Sequence, residues 1–384
     1  MAAIPDPVDL LQRLVRCPSV TPDEAGTLAV LTNVLQPAGF AVERVTFTEP
    51  GTPDVANLFA TIGGGAPHVA FCGHVDVVPP GDAAGWTHPP FSAEIADGML
   101  YGRGAADMKG GIAAFVAAAI QHRAAGKGRG TISLLITADE EGPSINGVAK
   151  LLPFALAKAA HPDAAIVGEP TSRAKLGDMV KVGRRGSLSA TLKVFGKQGH
   201  VAYPERASNP VTAILGMLTR LKTTPLDEGN ASFPASNLEV TSIDVGNPTT
   251  NVIPAEATAR FNIRFNNHWT RASLRDWIAA QLAASAGGMR HELVVLPGGG
   301  ESFLTPAGPL VEALVAAIKA ETGLDPERST SGGTSDARFF KDVCPVVEFG
   351  AVGETIHQVD ERTSVADLYR LSSIYRRFLD RFLA

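Results

Sequence analysis

The chain has 384 residues, enough for two or three domains at the usual ~100–200 residues each and for a sizeable buried core. Apolar residues make up 45% and charged residues 19%, close to the globular average, which excludes disorder, collagen-like repeats and coiled coil. A net charge of -5 offers no basic field to hold a phosphate backbone, so nucleic acid is not expected as the main partner.

The opening MAAIPDPVDLLQRLVRCPSV has acids and prolines where a secretory signal would carry basic residues and then an apolar run. No stretch reaches the ~18 apolar residues of a membrane span, so no membrane association and a cytoplasmic location are expected. Cys17, Cys72 and Cys344 are far apart and lack metal-ligand spacing, and are expected to be reduced, partly buried thiols.

In chain order, HVAFC at 68–72 is a strand, MKGGIAAFVAAAIQHRAAG at 108–126 a helix, and ISLLITA at 132–138 and AAIVG at 164–168 are strands. This alternation predicts a mixed, partly parallel sheet covered by helices, an α/β arrangement. In the helix, Ile112, Phe115, Val116, Ala119 and Ile120 form one core-facing stripe, and Gly126 is a stop signal. Then Leu188, Ala190, Leu192 and Val194 alternate as a strand, and Ser208, Asn209 and Pro210 open a helix. Strands near 237–245 and 257–265, a helix near 270–285 and a strand at HELVVLP follow. The order β-α-β-β-α-β is that of a ferredoxin-like α+β unit over 186–298. It interrupts a first domain formed by 1–185 and 299–384, which ends in an amphipathic helix at 365–382.

Five segments place metal-type ligands at the ends of apolar runs: CGHVDVVP (His74, Asp76), GRGAADMKGG (Asp107), ITADEEG (Glu140, Glu141), IVGEPTS (Glu169) and ETIHQVDE (His357). Strand ends of open α/β sheets are where ligands usually bind. Singly, each is unremarkable: Asp107 reads equally as a helix N-cap and the Glu pair as a solvated turn. Together, their spacings agree with roles. On an extended chain His74 and Asp76 share a face, so the Asp76 side chain can hold the imidazole. Glu140 and Glu141 have different orientations, and Gly142 and Pro143 supply a turn, so one can bind metal while the other moves protons. Asp107, Glu141 and Glu169 in one cleft would repel unless neutralised. Two divalent cations resolve this, and metal lowers the pKa of water from 15.7 to about 7, giving a nucleophile without serine or cysteine. Imidazole and carboxylate without thiolate suit zinc or cobalt.

With these motifs the chain resembles the M20 metallopeptidase and deacylase family along essentially its whole length. The resemblance implies one metal on His74, Asp107 and Glu169 and a second on Asp107, Glu141 and His357, with Asp107 bridging. It also implies that Asp76 orients His74, that Glu140 is the general base, and that a cis peptide follows Asp107. Finally, it implies that the smaller domain makes a homodimer. VKVGRRGS around Arg184, GKQGHVAYPE around His200, NVIP at 251–254 with FNIRF around Arg264, and SGGTSDARF at 331–339 look like the desuccinylase versions. The implied substrate is N-succinyl-LL-diaminopimelate, with acetylornithine deacetylation or another aminoacylase reaction as the alternative.

That substrate carries three carboxylates, and a matching pocket needs fixed positive donors. Arg184 and Arg264 can grip carboxylates bidentately, Lys181 offers a point charge, and Gly333, Thr334 and Ser335 offer backbone and hydroxyl donors. Arg264 lies opposite Phe261, Ile263 and Phe265 in the alternation and so faces away from the packed side. The resemblance brings His200 and Asn251 from the partner subunit to the scissile amide, where they would stabilise the oxyanion; Tyr203 lines the same pocket. Trp86 and Phe91 are assigned to loop packing, and His88 has no role. A nucleotide-binding oxidoreductase is disfavoured because Asp107 stands where the third fingerprint glycine after Gly102 and Gly104 would be. A metal-free binding protein would have no use for Glu140.

Overall fold

The structure, a computed structural model, describes residues 4–126, 129–158 and 161–384. It divides into two compact units, Met1–Gly183 with Thr305–Ser329 and Ser335–Ala384, and Arg184–Leu304 with Thr330–Thr334. The smaller unit therefore starts at Arg184, runs to Leu304 and also takes in Thr330–Thr334, whereas the sequence pattern suggested 186–298 alone.

The larger unit is built on an eight-stranded mixed sheet in the order Ala41–Phe47, Val55–Gly64, Gly130–Thr137, His68–His74, Ala164–Val167, Val346–Glu348, Met179–Lys181, Glu327–Ser329. His68–His74 runs parallel to both its neighbours, and Val346–Glu348 continues the parallel run. Every residue of His68–His74 and of Ala164–Val167 is buried. Strands covered on both faces have no reason to alternate, and these read as continuous apolar runs.

The helix predicted from Met108 begins at Gly110 and runs to Ala124. Asp107 and Met108 have non-helical backbone angles, and the peptide between them is cis. The expectation of a single buried stripe is too narrow, because every residue from Gly110 to Ile120 is buried. The helix is packed between the sheet and the helices Pro7–Val15 and Val365–Phe382, so alanines fill the side that would otherwise be polar. Phe71 of the central strand stacks on Phe115 at 4.1 Å, and Tyr375 meets both rings edge-on. This aromatic cluster adds about 0.5–1.5 kcal/mol per pair beyond area burial. Gly111 allows a closer approach still, since a Cβ there would lie 2.3 Å from the carbonyl oxygen of Gly168.

The smaller unit has an antiparallel four-stranded sheet in the order Asn237–Asp244, Glu256–Phe265, Gly186–Phe195, His291–Val295. The helices Pro210–Thr223 and Arg271–Ser285 complete the β-α-β-β-α-β sequence. Leu188, Ala190, Leu192 and Val194 pack with Phe261, Ile263, Phe265 and the helix residues Ile214, Leu218, Leu274 and Ile278. Asn209 caps the first helix from its side chain and Thr270 forms a capping box with Ser273 at the second. Between them, the Asp227 carboxylate accepts from Gly229 N, Ser236 N, Asn266 Nδ2 and Trp269 Nε1 at 2.6–3.1 Å, which fixes the long connection after the first helix.

Among the described residues no helix is long and apolar enough to cross a membrane. Cys17, Cys72 and Cys344 are free thiols. Trp86 is buried and donates from Nε1 to Pro80 O, in keeping with loop packing.

Candidate metal and catalytic site

Three mutually parallel strands, Gly130–Thr137, His68–His74 and Ala164–Val167, end side by side in the larger unit. His74 is the last residue of its strand, Glu169 lies two residues past Val167, and Glu140 and Glu141 lie three and four past Thr137. Asp107 sits on the turn before the buried helix, and His357 on the loop after Val346–Glu348. The parallel topology thus delivers all five segments to the carboxyl end of the sheet.

His74 Nε2 lies 3.2 Å from Asp107 Oδ1 and 3.8 Å from Glu169 Oε1. On the other side, His357 Nε2 lies 2.8 Å from Glu141 Oε1 and 3.4 Å from Asp107 Oδ2. Asp107 therefore turns one oxygen to each histidine. Ligand atoms of His74, Asp107 and Glu141 all lie within 4.8 Å of one another.

The electrostatics are those of crowded anions. Burial raises the Glu169 carboxyl well above the usual range, and the charge of Asp107 adds to this. Burial likewise pushes Glu140 up to about 8; His74 opposes the shift, while Asp336, Glu141 and Asp107 reinforce it. Burial alone would lower His74, but its bond to Asp107 and the charges of Glu169, Asp107 and Asp76 outweigh this and raise it. Hydrogen bonds to Asp107 and Glu141 lift His357 to about 10 against burial. Asp107 goes the other way, because the bonds from His357 and His74 outweigh its burial. Burial and mutual repulsion thus favour proton uptake by these carboxylates, and a divalent cation could supply the positive charge in place of protons. Two imidazoles and several carboxylates, with no thiolate, fit such a cation.

Asp76 meets His74 twice. The strand stops at His74, and the Asp76 main-chain carbonyl takes the bond from His74 Nδ1 at 2.9 Å. Its carboxylate lies 3.6 Å from the same nitrogen and also accepts from Glu140 N at 3.3 Å and Glu141 N at 3.0 Å. Asp76 faces the histidine with both its carbonyl and its carboxylate, and the carboxylate also pins the Glu140–Glu141 turn. Asp139, to which the sequence pointed nowhere, holds the other end of that turn by accepting from Ser144 N, Ile145 N and Asn146 N.

The residues expected to bind substrate fall in both units. In the smaller unit Arg184 donates to Gly333 O at 3.1 Å, bringing those two segments together. Thr334 belongs to the same unit. Arg264 pairs across strands with Ser187 and Asn237, on the face opposite the packed Ile263 and Phe265, as the alternation predicted. It is half-buried, Nη1 has no hydrogen-bond partner among the described residues, and burial together with the neighbouring Arg185 lowers its pKa. His200, on the short strand Gly199–His200, pairs with Val252 beside Asn251, and its ring is 5.8 Å from that of Tyr203. In the larger unit Lys181 is buried with Nζ 3.4 Å from Ser329 Oγ. Ser335 was expected to offer its hydroxyl to a ligand. It is buried and donates to Glu348, because the strand Val346–Glu348 carries that carboxylate into the core beside it.

Residues 70–381 match Peptidase family M20/M25/M40. The chain is 55% identical to the succinyl-diaminopimelate desuccinylase of Methylobacterium nodulans, over 100% of this chain and 97% of the relative. It is 53% identical to that of Nitrobacter hamburgensis, over 99% of each. Among solved structures, an M20 family metallo-carboxypeptidase from Sulfolobus solfataricus shares the fold with TM-score 0.80 at 18% identity, over 98% of this chain and 99% of that one. A dinuclear metal-binding M20 peptidase from Bacillus subtilis does so with TM-score 0.70 at 16% identity, over 98% and 97%. With a family match over most of its length and desuccinylase relatives of more than half identity end to end, the chain belongs to the M20 peptidase family.

Proposed function

We propose that the chain hydrolyses the amide of N-succinyl-LL-diaminopimelate to succinate and LL-diaminopimelate, a step toward lysine and cell-wall precursors. The observation that carries this is the convergence of His74, Asp107, Glu141, Glu169 and His357 at one sheet end in a chain so similar to desuccinylases throughout. His74, Asp107 and Glu169 would hold one zinc ion, and Asp107, Glu141 and His357 a second zinc or a cobalt. Bound there, the cations would acidify water and polarise the amide carbonyl.

The chain's own groups supply the rest. Glu140 takes a proton from the attacking water as its oxygen bonds to the amide carbon, and returns a proton to the leaving nitrogen as the C–N bond breaks. Asp76 keeps Glu140 and Glu141 in fixed relative positions by accepting from both amides. Arg184 and Arg264 bind substrate carboxylates, Lys181 adds positive charge, and Gly333, Thr334 and Tyr203 line the pocket. The smaller domain makes a homodimer, and His200 and Asn251 of each subunit serve the other's active site as oxyanion donors. The enzyme works in the cytoplasm.

The test is hydrolysis of N-succinyl-LL-diaminopimelate by zinc-loaded protein, followed as loss of amide absorbance, with a chelator-treated control and N-acetylornithine alongside. Chelator-sensitive turnover of the succinyl substrate alone is expected. Preference for N-acetylornithine would keep the chemistry and overturn the substrate.

A further inference from the structure

Glu361 lies four residues beyond His357 and has no exposed surface. Its carboxylate accepts four hydrogen bonds from one stretch of chain. Oε2 accepts from Arg103 Nη1 at 2.7 Å and Gly104 N at 3.0 Å; Oε1 accepts from Ala106 N at 3.0 Å and Asp107 N at 3.1 Å. Its main-chain carbonyl accepts a further bond from Gly102 N at 2.8 Å. Arg103, itself buried, balances the charge and lies 5.2 Å from the centre of the Trp86 ring. The turn from Gly102 to Asp107 is thus wrapped around one carboxylate.

The other end of Glu361's own loop is also closed. Thr355 Oγ1 donates to Arg362 O and accepts from Arg362 N, at 3.2 and 3.1 Å, so the loop carrying His357 is tied at its base. Glu361 joins that loop to the turn that presents Asp107. A backbone amide whose neighbour is a bridging ligand needs a fixed anchor, because Asp107 must face His74 with one oxygen and His357 with the other. Partners that orient ligands in this way typically change metal affinity or activity 10–100-fold when removed.

We infer that Glu361 is the positioning residue that sets Asp107 between His74 and His357, by holding the Arg103–Asp107 turn to the His357 loop before any metal binds. The inference rests on the reading of Asp107 as a metal ligand. The first experiment needs no variant: amide hydrogen exchange at Gly104, Ala106 and Asp107 in metal-free protein. Protection of all three is expected, and free exchange before metal is added would overturn the inference. The second uses Glu361→Gln and Glu361→Asp in the full chain, with cobalt titrated into chelated protein and read by its visible absorption. The Asp variant keeps the charge opposite Arg103 but is one methylene short, so it tests the geometry if the Gln variant fails to fold. Cobalt affinity 10–100-fold weaker, with an altered band pattern, is expected in either folded variant. Wild-type affinity and spectrum in a folded variant would refute the positioning role. Failure of the unaltered protein to bind cobalt would instead refute the metal reading itself.

Discussion

Replacing Glu140 by glutamine separates holding the site from using it. The substitution leaves the main-chain bonds of the turn in place: Glu140 N to Asp76 Oδ1, Glu141 N to Asp76 Oδ2, and Ser144 Oγ to Glu140 O at 3.1 Å. Glutamine has nearly the same shape, so Glu141 stays 2.8 Å from His357 and the ligand cluster keeps its geometry. What is lost is a basic oxygen in the buried position where burial and the nearby carboxylates already favour proton uptake. General acid–base catalysis by one positioned group is worth about 10²–10⁴ in rate. At 1.36 kcal/mol per tenfold, that is about 3–5 kcal/mol of barrier. The variant is therefore expected to bind the same number of zinc ions, measured by elemental analysis after gel filtration, and to show kcat lowered at least a hundredfold. More than a tenth of the wild-type kcat, with full metal content, would remove Glu140 as the base.

The remaining predictions concern other parts of the molecule. Gly111→Ala places a Cβ 2.3 Å from the Gly168 carbonyl oxygen; overpacking of about 1–3 kcal/mol should lower Tm, and metal affinity should fall because Glu169 adjoins that carbonyl. An unchanged Tm would show that the helix can shift freely. Asp227→Asn should cost about 2 kcal/mol in urea unfolding, since charged hydrogen bonds are lost. The Asp227 carboxyl is held below its ordinary value because bonds from Ser236, Gly229 and Asn266 outweigh its burial. Its contribution is thus fully present above the unfolded pKa of about 3.9 and fades as pH falls through the lower folded value. The stability gap between wild type and variant should close in acid, and a gap that widened there would contradict the assignment. His200→Ala should fold and dimerise but turn over slowly. Mixing it with Glu140→Gln should restore activity if His200 acts across the interface, and proven heterodimers without rescue would place it in its own subunit's site.

The parts of the fold visible in the sequence were those with a local period. The Leu188–Val194 alternation, the Asn209–Pro210 helix start and the side of the strand on which Arg264 lies all depend on neighbours a few residues apart, and the structure follows them. The outer strands Met179–Lys181 and Glu327–Ser329 have three residues each, too short to show any period. At the site, His74 sits at a strand end as expected and the Asp76 carboxylate lies 3.6 Å from its ring, but the closer contact from the Asp76 carbonyl and the bonds from Glu140 N and Glu141 N have no sequence signal. Asp139 and Glu361 carry no signature at all. Their partners are mostly backbone amides, which every residue has, and for Glu361 those amides and Arg103 lie more than 250 positions away. Only the folded chain identifies them.

The residues gathered at the sheet end are strung along nearly the whole chain, from His74 to His357, and the smaller unit's Arg184–Leu304 is threaded between Glu169 and His357. Domains generally fold from the N-terminus during synthesis. For much of translation, His74, Asp107, Glu140, Glu141 and Glu169 are therefore already made while their last companion is not. Until His357 and Glu361 leave the ribosome, Asp107 lacks both its second histidine and the carboxylate that accepts from its amide, and burial and repulsion favour proton uptake by the acids gathered so far. Loss of only the last few dozen residues would leave most of the proposed ligands, with Glu140 and Glu141, in the chain, yet yield a product without the second histidine. A prematurely terminated chain of this kind keeps the proposed His74, Asp107 and Glu169 set but lacks His357, and should take up one metal ion at most.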